Sequence, residues 1–160
     1  MGKKEYMTEE GIYEAFKSIK EIDAPMSIKV RVLSELLGGY EHIWKVTAIT
    51  KNALIRFHKY KFKKESGMKI NRAHIEDRAD TYEFLLNSNL NFDGWWKYFL
   101  PRNKTILAIS EENKNIKLVP NNEKFVIPSH LNLFKSSGFA WRHGKLEVEF
   151  LKQLYKEKIN

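Results

Sequence analysis

His74, Asp77, Glu112 and Lys114 are the side chains whose types and spacing suit catalysis. Glu112 and Lys114 stand two apart just after the apolar run Thr105–Ser110 (TILAIS). In metal-dependent nucleases a carboxylate beside a strand holds the ion, and a lysine two residues on positions the attacking water. Such a site needs a second acid from earlier in the chain, and Asp77, Asp80 and Asp93 are the candidates. Asp77 and Glu112 would then share Mg2+. His74, next to Glu76 and Asp77, has the chemistry of a general base. The blander reading makes Asp77 a helix cap and His74 a structural or solvated imidazole.

The same region is rich in groups that grip phosphate. Lys51–Arg78 holds nine Lys/Arg against three acids, +6 of the chain's formal +8. Phe57, Tyr60 and Phe62 are interleaved with the charge. Basic groups neutralise phosphates and aromatic faces stack on bases. On a helix, Asn52, Arg56, Lys59 and Lys63 fall within a sector of roughly 60°. That ridge offers donors suited to adenine and guanine edges. Lys64, Lys69, Arg72 and Arg78 extend it into the following segment. The plain alternative is an amphipathic helix whose solvated face happens to be basic.

These residues need elements to position them. Thr8 can cap a first helix carrying Ile12, Phe16 and Ile19 on one face. Met26, Val30, Leu33 and Leu37 repeat at helical spacing, and Gly38-Gly39 closes that helix. Tyr40–Ala48, a tight Ile49-Thr50 turn and a helix over Lys51–Phe62 form a helix-turn-helix-like unit. Ile43, Trp44 and Val46 would also suit a strand. Helices are predicted over Glu76–Leu86 and Asp93–Leu100, the latter stopped by Pro101. Adjacent Trp95 and Trp96 must point about 100° apart, which leaves one for the core and one for a base or partner. Beyond Pro101, strands are predicted at Thr105–Ser110, Ile116–Val119, Phe125–Ile127 and Gly138–Arg142. A last helix from Lys145 bears Leu146, Phe150 and Leu154. The expected fold is α+β in a single domain, 1–160. A helical part, 1–101, precedes a small antiparallel sheet and terminal helix, 102–160.

Composition narrows the function. With 42% hydrophobic and 13% aromatic residues the chain is not disordered. No cysteine means no disulfides and no thiolate chemistry. Glycine-rich nucleotide cradles and a nucleophile elbow are both absent from the sequence. MGKKEYMTEE has no apolar stretch of the kind a secretory signal carries. The sequence therefore predicts a soluble, cytoplasmic DNA-binding protein that needs no cofactor and has no membrane partner. The alternatives are a small Mg2+-dependent endonuclease of restriction or homing type, and an interaction or inhibitor module whose basic face meets an acidic protein. RNA could replace DNA as the anionic partner.

Overall fold

A computed structural model describes residues 5–137 and 139–160. Helix α1 (Glu9–Glu21) begins where expected, with the Thr8 hydroxyl accepting from the Gly11 N–H at 3.0 Å. Helix α2 (Met26–Leu37) follows Pro25, and both helices bury the anticipated faces. The chain then makes turns through Tyr40–Trp44 and enters strand β1 (Lys45–Thr50). Here the structure corrects the helix-turn-helix expectation. Val46, Thr47, Ile49 and Thr50 are β-branched and extend as a strand. Thr50 ends that strand and caps helix α3 (Lys51–Lys59) directly, accepting from the Ala53 N–H at 3.1 Å. Helix α3 is shorter than predicted because Lys61 and Phe62 adopt left-handed φ of 55° and 61°. Phe62 then folds back, its N–H on the Phe57 carbonyl at 2.7 Å.

Strand β2 (Ile70–His74) was not expected. Asp77 caps helix α4 (Arg78–Asn87) and Asn91 caps helix α5 (Phe92–Arg102), which contains Pro101 in its last turn. Strand β3 (Lys104–Ile109), helix α6 (Ser110–Asn113) and strand β4 (Lys124–Val126) follow. The sheet order is β2-β3-β1-β4. It is mixed: β1 runs parallel to β3, and β2 and β4 pair antiparallel with their neighbours. Parallel pairing needs a long crossover, and α3 to α5 supply it. Ile116–Leu118, expected as a strand, is a 3-10 turn that buries Ile116. A short hairpin, β5 (Ser136–Ser137) and β6 (Ala140–Trp141), precedes helix α7 (Lys145–Lys158). Gly138, the predicted start of the last strand, lies outside the described residues.

The fold is α+β, with a helical N-terminal part and a C-terminal helix. Two apolar cores meet at the start of β1. One joins α1, α2, α4 and α5 around Trp95, Trp96 and Phe99. Both tryptophans are buried there, so neither is left to stack. The other packs α3 and α7 on one face of the sheet, through Leu54, Phe57, Leu107, Leu151 and Leu154. The opposite sheet face carries Ala48, Ala73, Ile106 and Ala108 under Ile116. Among the described residues, no helix is long and apolar enough to cross a membrane.

Candidate nucleic-acid interface

Successive residues of β2 point to opposite faces of the sheet. Ile70 joins the α3/α7 core and Ala73 the opposite face. Arg72 and His74 therefore share the side of Ile70, opposite Leu107 and Thr105 of β3. They meet the aromatic residues of two other segments. The Arg72 guanidinium lies 5.2 Å from the Trp44 ring centre and 5.7 Å from that of Trp141. The Lys64 ammonium sits 3.8 Å from the Trp141 ring centre and donates to the Trp141 carbonyl at 3.3 Å. Arg78 lies 5.1 Å from the Trp44 ring centre, and His74 meets that ring edge-on. Phe139, at the hairpin tip, tilts against Trp44 at 5.6 Å yet remains 71% exposed. The result is a row of cations interleaved with rings. Each ring's negative face holds a cation in place at a cost in hydration smaller than full burial would impose.

The row is electrostatically loaded. Burial lowers the Arg72 pKa to about 10. Lys64 is lowered by burial of its ammonium against the ring and by repulsion from Arg72, although its stem is exposed. Among the described residues, neither Lys64 nor Arg78 forms an ion pair with a carboxylate.

His74 is pushed down to about 4, by burial first, then by Arg78 and Arg72, with Asp77 opposing. It is therefore neutral at pH 7 and a weak base, far from the value that suits proton transfer there. The same shift makes stability depend on pH. Above pH 6.5 the imidazole is neutral in both folded and unfolded chains. Below it the unfolded chain gains a proton that the folded chain refuses until about pH 4. Stability should fall across that window by about 2 kcal/mol, allowing for partial exposure of the ring. Urea unfolding at pH 7 and pH 4.5 measures it. In His74→Gln the drop should shrink by that amount, and an unchanged drop would assign it to other groups.

The predicted catalytic residues do not all converge. His74, Asp77 and Lys114 line one open cleft, with Arg78 and Lys117 on its walls. Glu112 is elsewhere. Its carboxylate accepts from the Thr50 hydroxyl at 2.7 Å, the Ile109 N–H at 3.2 Å and the Asn52 amide at 3.3 Å. Ile109 pairs with Ile70, whereas His74 is four residues further along β2, about 13 Å at strand rise. Glu112 thus ties α6 to the start of α3, and the expected Mg2+ pair of Asp77 and Glu112 shares no pocket. Asp77 is occupied as a cap, accepting from the Asp80 N–H at 2.8 Å. Among the described residues, no cluster of three or more His, Asp or Glu side chains is arranged to hold a metal ion. The residues present do not fit a two-carboxylate metal centre.

The basic ridge of α3 is also partly committed. Asn52 donates to Glu112, and Arg56 donates to the Met68 carbonyl at 3.1 Å while pairing with Glu111 at 3.6 Å. Lys59, Lys63 and Lys69 remain exposed. The cation–ring row is thus centred on Lys64, Arg72 and Arg78, which the charge run in the sequence had marked. The run Phe139–Lys145 stands out in the sequence as aromatic and cation-rich, but no local pattern places Trp141 against Arg72 or Lys64. Searches of protein-family models, curated proteins and solved structures find no match to this chain.

Proposed function

We propose that the protein binds DNA through the surface formed by β2, the β5–β6 hairpin and the start of α4. The observation that carries this reading is the row Lys64–Trp141–Arg72–Trp44–Arg78, in which fixed cations alternate with aromatic rings. Cations held at set spacing neutralise phosphates without first losing side-chain entropy, and they release counterions on binding. The proposal is one of binding, with no reaction assigned. It includes a cytoplasmic setting, with which a chain lacking cysteine is compatible.

The test is a salt titration of DNA affinity. Binding should weaken steeply as salt rises. Lys64→Ala with Arg78→Ala should flatten the slope of log affinity against log salt by about two units, one per phosphate contact. Affinity independent of salt, or an unchanged slope in the double variant, would remove this surface as the docking site.

A further inference from the structure

Between the 3-10 turn Ser66–Met68, β2 and the hairpin lies an open cleft of about 430 Å3. Its apolar wall includes Met68, Phe139 and Trp141, and Lys64, Lys69 and Asn71 stand around it. We infer that this cleft takes the base of an unpaired nucleotide, so that the protein prefers single-stranded to duplex DNA. The inference rests on the binding proposal above and narrows its ligand.

Three features carry it. First, the cations frame a concavity. A duplex groove is read by an element that projects into it, such as a helix. Asn52 and Arg56 of α3, the helix with the most basic outer face, are turned to internal partners. A stacked, paired base cannot enter a cleft, whereas a splayed one can. Second, the cleft has the parts a nucleotide requires. Phe139 offers a largely exposed ring for stacking. Lys64 and Lys69 line the cleft against one carboxylate, Glu65, and supply the positive charge that a backbone phosphate needs. Third, Lys64 and Arg72 repel one another while Trp141 holds both nearby. A phosphate beside them relieves that repulsion. A run of acidic side chains alone would supply the charge but no planar ring to cover Phe139.

The test compares four fluorescent ligands by anisotropy at one salt concentration: a 20-mer of thymidine, an abasic 20-mer, a 20-base-pair duplex and polyglutamate. The thymidine strand should bind at least tenfold tighter than each of the others. Phe139→Ala should weaken it about tenfold, within the range of one lost base–aromatic stack, and weaken the abasic strand and duplex by much less. Because Phe139 is exposed, this variant should fold, which circular dichroism confirms. Lys64→Ala should weaken all four. Equal affinity for thymidine and abasic strands, for strand and duplex, or for strand and polyglutamate would overturn the inference. So would a Phe139→Ala protein that binds thymidine like the parent. If duplex binds in a salt-dependent way without strand preference, the binding proposal stands and only the cleft assignment falls. If neither DNA form binds, both fall.

Discussion

Glu147→Ala should lower the stability of the protein by about 3–5 kcal/mol. Glu147 is 1% exposed, yet its carboxylate is well partnered. Oε1 accepts from the Gly144 N–H at 2.7 Å and Oε2 from the Phe134 N–H at 3.3 Å, with Arg142 Nε 3.8 Å away. Hydrogen bonds to an ionised acceptor are worth about 1.5–3 kcal/mol each, and alanine would leave two amides unmatched in a dry setting. For a chain of this length the midpoint of thermal unfolding should drop by about 10–15 °C. Phe134 precedes β5 and Gly144 follows β6, so this one side chain clamps both ends of the hairpin that carries Phe139 and Trp141. If this surface docks DNA as proposed, affinity should weaken even at temperatures where the variant is folded. Glu147→Gln keeps the shape and one acceptor, and should recover part of the stability. A loss below about 1 kcal/mol in Glu147→Ala would mean that dehydrating the carboxylate already cancels its bonds.

Asn103→Ala should cost about 2–4 kcal/mol, from leaving two backbone groups unmatched. Buried Asn103 accepts from the Trp44 N–H at 2.5 Å and donates to the His42 carbonyl at 2.7 Å. Trp44 sits at a left-handed φ of 51°, which a non-glycine residue holds only when its surroundings enforce it. Its indole also donates to the Tyr82 hydroxyl at 3.2 Å. Without Asn103 the turn should relax, and the ring that supports Arg72, Arg78 and Phe139 should move. Urea unfolding reads the stability change, and tryptophan fluorescence of the folded variant reads the ring. Asn103→Asp keeps the acceptor but sets a carboxylate oxygen against the His42 carbonyl in a buried site, so its deficit should be at least as large as that of alanine. Equal stability for all three proteins would show that the turn holds itself.

Much of the helical part is legible in the sequence because its apolar residues keep the helical period and its caps are local. Thr8, Thr50 and Asp77 each sit three residues before the N–H they accept from, and that spacing is visible in one dimension. Strand β2 is not legible. Its inward positions include Arg72 and His74, so the polar–apolar alternation that marks a half-buried strand is broken. Those are also the residues that make the surface interesting. Strand β1 is ambiguous because Ile43, Trp44 and Val46 fit either period over so short a span, and of these only Val46 lies in the strand. The pairing of Glu112 with Lys114 reads as chemistry because sequence spacing hides direction. In three dimensions Lys114 faces the His74 cleft, while Glu112 turns to Thr50. The cation–ring row is assembled from segments 20 to 97 residues apart, and only the fold brings them together.

The two cores can close at different moments during synthesis. Every buried side chain of the helical core lies at or before Phe99, so that core is complete once this residue is free of the ribosome. The sheet core needs Leu151 and Leu154 from the last helix. At 5–20 residues per second, the 55 residues between Phe99 and Leu154 take roughly 3–11 s. Throughout that interval the apolar sides of β1 and α3, with Ile49, Leu54 and Phe57, have no α7 to cover them. Lys51, Lys59, Lys61 and Lys63 flank this stretch and stay on the outside. Like charges there keep two nascent copies apart while their α3 faces are bare. The basic run thus sets charge beside the bare apolar face of the emerging chain before any ligand is met.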